Sequence, residues 1–132
     1  MNSRSATASK IHRGFTLIEL LVVLAILATL LTIALPRYYR SVDYSREVAL
    51  KQTLLVVRDA IDKFAADTGR YPETLDELID RSYLRKAPHD PITERSDTWI
   101  LTPPPEGATG KVRDLRSGAP GNAGDGTPFR DL

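Results

Sequence analysis

Residues 15–35 are apolar throughout except for Thr16, Glu19, Thr29 and Thr32. No other feature limits the architecture as much. As a helix these twenty-one residues rise ~30 Å, about the thickness of a bilayer's hydrocarbon core. A leader containing Arg4, Lys10 and Arg13 and no acid precedes the run, and one carboxylate, Glu19, sits near its start.

Three readings compete for this segment. A secretory signal peptide fits the basic start and the apolar run. The run is long for that purpose, however, and its exit, Ala34-Leu35-Pro36-Arg37, carries no small-x-small cleavage site. A plain transmembrane anchor explains the length but not Glu19. An acid at membrane depth costs ~2.5–3.5 kcal/mol at the centre of a helix, and less near an end. Such a residue usually has a partner.

The third reading rests on Gly14-Phe15-Thr16-Leu17-Ile18-Glu19. This stretch resembles the cleavage and methylation motif of type IV prepilins and type II secretion pseudopilins. The resemblance implies that a membrane-embedded prepilin peptidase cuts after Gly14 and N-methylates Phe15. It also implies that the apolar run remains, first as an inner-membrane anchor and then as a filament core. The chemistry is coherent. Cleavage creates an amine at Phe15, one helical turn before Glu19. The two can pair within a subunit or between neighbours, and either pairing offsets the cost of a carboxylate in apolar surroundings. Pairing between subunits would also fix their axial stagger.

Composition narrows the options for the remaining residues. The 132 residues suit one domain, and the net charge of +1 hides an asymmetry. Without the three basic residues of the leader, 18 Lys/Arg fall to 15 against 17 Asp/Glu, which is not the charge of a nucleic-acid binder. The chain has no Cys. Disulfides, thiolate metal sites and cysteine nucleophiles are therefore excluded, and a small body must be held by packing, by a metal or by assembly.

Pro36 follows the run. It either stops the helix or kinks it. Helical signals resume at once without turn residues, which favours the kink, and the resemblance implies the same. Tyr38 and Tyr39 suit the headgroup layer. Leu50, Leu54, Val57, Ile61 and Phe64 then step by helical spacing along one face, with Val48, Leu55 and Val56 widening or flanking the stripe. A helix stop is expected at Gly69 after residue 67 or 68. Thr74 and Glu77 read as a capping box that starts a short helix to about Arg81. Leu75, Leu78 and Ile79 would face inward, and Tyr83-Leu84 would close that patch. The segment around Pro88, His89, Asp90 and Pro91 reads as irregular. Strands are expected at residues 98–101 and 111–115, antiparallel to each other, with a short third strand near Phe129 in a Gly-rich tail.

The expected fold is α+β and pilin-like. A long kinked N-terminal helix, transmembrane then amphipathic, packs on a short helix and a small antiparallel sheet. The parts are a cleaved basic leader (1–14), a transmembrane and filament-core helix (15–36) and a periplasmic domain (37–132) whose amphipathic helix ends near 68. The order of parts resembles, more narrowly, the major pseudopilin of type II secretion systems. The shared features are Gly69-Arg70-Tyr71-Pro72, the Asp90-Pro91 loop, the strands around Trp99 and Val112, and a tail containing Asp125-Gly126-Thr127. The ending Phe129-Arg130-Asp131-Leu132 departs from the acidic stretch and terminal Trp of that family.

No cluster of side chains demands a cofactor. Ca²⁺ enters only through the resemblance, which implies a calcium loop at the end of the sheet. Asp125, Ser117 and Asn122, with Asp114 nearby, are the oxygen donors on offer. The competing and preferred reading is that Gly, Asn and Asp form turns there. Gly110-Lys111 is no P-loop, because Val112 stands at the Ser/Thr position. His12 and His89 have no second imidazole or thiolate. The acid pairs Asp76/Glu77 and Asp59/Asp62 read as surface charge. No enzyme is expected.

The function implied by the resemblance is that of a pseudopilin subunit of a type II secretion system, polymerising into a periplasmic filament from the bacterial inner membrane. Implied partners are further copies, other pseudopilins, the prepilin peptidase, an inner-membrane assembly platform with its ATPase and, indirectly, the secretin. Nucleic acid is not among them. The rivals are a type IV pilus or DNA-uptake pilin subunit and, of a different class, a single-pass membrane-anchored periplasmic binding protein.

Overall fold

The computed structural model describes residues 13–132. Arg4, Lys10 and His12 of the leader lie outside the described residues. Two compact units are present, the first ending at Tyr38 and the second running from Tyr39 to Leu132.

The first unit is helical from Leu17. Helix α1 spans Leu17–Thr68, 52 residues, with Pro36 inside it. The apolar window has mean hydropathy 2.7 and none of it is buried. Phe15 is 88% exposed, and the large apolar side chains from Leu17 to Leu35 are all exposed with it. A core helix of a water-soluble fold would be covered; this one has the length and composition to cross a membrane. The hydroxyls of Thr29 and Thr32 donate to the carbonyls of Ala25 and Ala28, both at 2.8 Å. Their polarity is thus satisfied inside the helix, which lowers the cost of placing them in lipid.

The second unit is built on the amphipathic part of α1. Leu50, Leu54, Val57, Ile61 and Phe64 are buried, together with Ala60, so the stripe read by spacing is the core face. Val48, Leu55 and Val56 lie outside it and are exposed, Leu55 at 61%. They flank the core face without widening it. Gly69 takes φ +72°, and its N–H donates to the Ala65 carbonyl at 2.9 Å. The left-handed turn ends the helix there at little cost because the residue is glycine.

Helix α2, Leu75–Asp80, starts as the capping box specifies. The Thr74 Oγ1 accepts the Glu77 N–H at 3.2 Å. The reciprocal bond is displaced by one residue, since the Glu77 carboxylate accepts the Glu73 N–H at 2.8 Å and not that of Thr74. Leu78 is buried, and Leu75 and Ile79 pack against the core half-buried.

Strands β1 (Trp99–Thr102) and β2 (Asp114–Ser117) pair antiparallel, with Trp99 opposite Ser117 and Thr102 opposite Asp114. Both are shifted toward the C-terminus from the expected positions. For β2 the cause is explicit: the N–H groups of Lys111 and Val112 both donate to the Pro72 carbonyl at 3.0 Å. That half of the expected strand is tied to the loop after α1. The third strand expected near Phe129 is a 3-10 helix, Phe129–Asp131. Pro128 has no N–H to offer a ladder, and the only pairing at this end among the described residues is an isolated bridge between Asn122 and Pro128. Leu84, Val112 and Leu115 complete the buried cluster over α1.

Candidate assembly and processing site

Residues 13–16 precede the first turn of α1 without regular structure, and all four are exposed. An accessible segment without regular structure is what a peptidase needs. A Cβ built on Gly14 meets nothing within 4 Å. Neither crowding nor a left-handed backbone among the described residues calls for glycine here.

Glu19 has a defined place. Its Oε2 accepts the Thr16 N–H and the Thr16 hydroxyl, both at 3.1 Å. The Thr16 Oγ1 in turn accepts the Glu19 N–H at 3.2 Å. Thr16-Leu17-Ile18-Glu19 is thus a reciprocal capping box that closes the start of α1. Sequence reasoning gives Glu19 a charge partner and misses this role for Thr16, although the S/T-x-x-E spacing signals it. The carboxylate is satisfied by the N–H and the hydroxyl of Thr16. It lies one turn from the position of the Phe15 nitrogen, where cleavage would place a charge.

Ser117, Asp125 and Asp114, three of the residues raised as metal ligands, are otherwise engaged. Ser117 is fully buried, and its hydroxyl donates to the Asp90 Oδ2 at 2.5 Å while accepting the Ala119 N–H at 3.1 Å. The Asp125 Oδ1 accepts the Thr127 N–H at 2.9 Å. The carbonyls of Gly121, Ala123 and Thr127 accept N–H groups from within the same tail. Asp114 binds Arg58 at 2.8 Å. Ca²⁺ takes six to eight oxygens, several from carboxylates. Among the described residues no group of three or more His, Cys, Asp or Glu side chains is placed to hold a metal. These residues do not fit a calcium ion as they are arranged.

His89 joins no such group either. Asp59 pairs with Lys63 at 2.7 Å on the exposed helix surface, as surface charge does. Glu77 differs from the surface reading. Its carboxylate is mostly buried against Arg70, with one contact at 3.2 Å, and Arg81 lies 3.7 Å away. The Arg70 guanidinium and the Glu73 N–H hold its pKa down from 4.5 to about 2. That is a structural ion pair stapling α2 to the loop after α1.

The chain is similar in sequence to known proteins. The family described as the prokaryotic N-terminal methylation motif matches residues 9–35. The type II secretion system core protein G of Klebsiella pneumoniae is 30% identical over 133 residues, covering 89% of this chain and 88% of that protein. The type IV major pilin protein PilE1 of Neisseria gonorrhoeae is 33% identical over 66 residues, covering 48% of this chain and 38% of that protein. The competence protein ComGC of Halalkalibacterium halodurans is 30% identical over 71 residues, covering 54% of this chain and 70% of that protein. No solved structure matches.

Proposed function

The chain belongs to the type II secretion system core protein G family, and from that membership we propose that it is a pseudopilin subunit whose work is to polymerise. Prepilin peptidase cuts between Gly14 and Phe15 and methylates the new terminus. The processed subunit waits in the inner membrane on the first half of α1, with the second unit in the periplasm. The assembly platform and its ATPase lift it into a periplasmic filament, alongside other pseudopilins and beneath the secretin. There the exposed apolar side chains exchange lipid for neighbouring helices, and Glu19 meets the Phe15 amine of the next subunit. The task is mechanical and needs no catalytic group.

The observation that carries this reading is the extent of the similarity. The likeness to the core protein G relatives spans the periplasmic unit as well as the amino terminus, whereas the likeness to the pilin and the competence protein covers about half of this chain. The amino terminus serves all three systems; the body distinguishes them.

A clean deletion in the source bacterium tests it. The expected result is that exported proteins accumulate in the periplasm and that the intact sequence restores their release. Unchanged export, with loss of surface pili or of DNA uptake, would transfer the subunit to the rival systems.

A further inference from the structure

The tail after β2 poses a packing problem. Between residues 118 and 128 only Ala119 and Ala123 are buried apolar residues. So little apolar area does not hold eleven residues, many of them glycine, against their conformational entropy. A bound cation is one way to organise such a tail, and the resemblance implies one, yet Ser117, Asp125 and Asp114 are engaged within the chain.

The structure supplies a different fastening. The tail first closes on itself. The Ala123 N–H donates to the Thr127 carbonyl at 2.7 Å, the Gly126 N–H to Ala123 at 2.9 Å, and the Phe129 N–H to Gly121 at 3.2 Å. One amide of this ring, that of Gly124, is turned outward and donates to the Glu47 Oε2 at 2.9 Å, across 77 positions of sequence. Glu47 stands on the core face of α1, one turn before Leu50, and is buried. Its other oxygen, Oε1, accepts the ammonium of Lys51 at 2.7 Å. A buried carboxylate is costly without a counter-charge, and the next turn of the same helix provides one.

The charges around this point agree with the geometry. The Gly124 N–H and then Lys51 hold the Glu47 carboxyl below its ordinary value, and Asp125 pushes it the other way. Lys51 acts favourably on Asp125 as well as on Glu47. The ion pair itself is between Lys51 and Glu47, at 2.7 Å. The cation here is covalently part of the chain.

We propose that Glu47 and Lys51 fasten the C-terminal tail to α1, Glu47 by accepting the Gly124 N–H and Lys51 by neutralising that buried carboxylate, so that this subunit keeps its tail docked without calcium. The fastening works in the same way whichever secretion or pilus system the subunit serves. It sets the subunit apart from one whose folding and assembly follow the supply of periplasmic calcium.

Hydrogen exchange on the full chain in detergent micelles tests it, read by mass spectrometry on peptides covering residues 118–128, in excess EGTA and in millimolar calcium chloride. For the unaltered chain the tail exchanges at the same rate in both. Lys51 is half-exposed, so Lys51→Ala retains the fold, and the peptides of α1 and β2 report that directly. Lys51→Ala and Glu47→Ala raise tail exchange about tenfold, the order expected for losing a charge-assisted hydrogen bond, while Lys51→Arg preserves protection. Two results overturn the proposal: tail protection in the unaltered chain that falls in EGTA and returns with calcium, or tail exchange unchanged in Lys51→Ala.

Discussion

Ser117 donates its hydroxyl to the Asp90 carboxyl at 2.5 Å, joining the end of β2 to the Asp90-Pro91 turn through two fully buried side chains. The other oxygen of Asp90 accepts the N–H groups of Ile92 at 2.8 Å and Thr93 at 3.3 Å. One aspartate thus shapes its own turn and fixes that turn to the sheet.

Removing Asp90 leaves three donors without their acceptor, the buried Ser117 hydroxyl and the part-buried N–H groups of Ile92 and Thr93. Asp90→Ala should cost roughly 2–3 kcal/mol, and Ser117→Ala roughly 1–2 kcal/mol. The double variant should lose less than the sum, because both remove the same bond. Urea unfolding of the full chain in micelles, followed by Trp99 fluorescence, reads all three. Strictly additive losses would mean that the bond contributes nothing.

Gly110 is required by space and by backbone together. It adopts φ +105°, and a Cβ there would lie 2.1 Å from the Tyr71 carbonyl oxygen. Gly110→Ala should therefore cost roughly 2–3 kcal/mol. Gly107, at φ +89° with nothing within 4 Å, is the control; Gly107→Ala meets only the backbone penalty, about 1 kcal/mol. Equal shifts in melting temperature for the two variants would contradict this explanation.

The Glu77 staple has a pH signature. Its carboxyl titrates at about 2 in the folded chain and near 4.5 when unpaired. A depressed folded value means that the staple stabilises fully above pH 4.5 and is lost as pH falls toward 2. Melting temperature should drop through that window, and Glu77→Gln should flatten the drop while lowering stability at neutral pH. A variant whose acid profile overlies that of the unaltered chain would remove Glu77 from the explanation.

How far the sequence foretells the structure depends on whether the deciding interactions are local. The core stripe of α1, the Gly69 stop and the Thr74 cap are legible, because helical periodicity and capping are set by residues three or four apart. Lengths and signs are legible too: an exposed apolar run of membrane length needs no tertiary information. The register of β2 is not, since it depends on the Pro72 carbonyl, some forty positions away, taking two amides. Residue 129 reads as strand from its aromatic side chain, yet Pro128 and the Gly121 carbonyl decide its conformation. Ser117 and Glu47 escape sequence reasoning for one reason: a polar residue in a pattern gives no sign of the distant backbone or side-chain group it will meet. Thr16 is the exception, a local signal masked because Glu19 already has an explanation.

Glu19 carries the assembly claim most directly. Glu19→Ala also removes the carboxylate half of the capping box, the bonds from the Thr16 N–H and hydroxyl, but leaves the Thr16 Oγ1 its backbone N–H at position 19. The loss is about 1 kcal/mol, too little to undo a helix of 52 residues. Membrane insertion should therefore be unchanged, while filaments, assayed by shearing and by crosslinking between subunits, should be lost. Normal filaments from this variant would rule out the charge pairing as the assembly contact.

In the proposed function, processing at Gly14 precedes filament assembly. The decisive measurement is the intact mass of the subunit extracted from the inner membrane of a cell with its own prepilin peptidase. The predicted mass is that of residues 15–132 plus one methyl group. A mass that retains the leader in such a cell would contradict it.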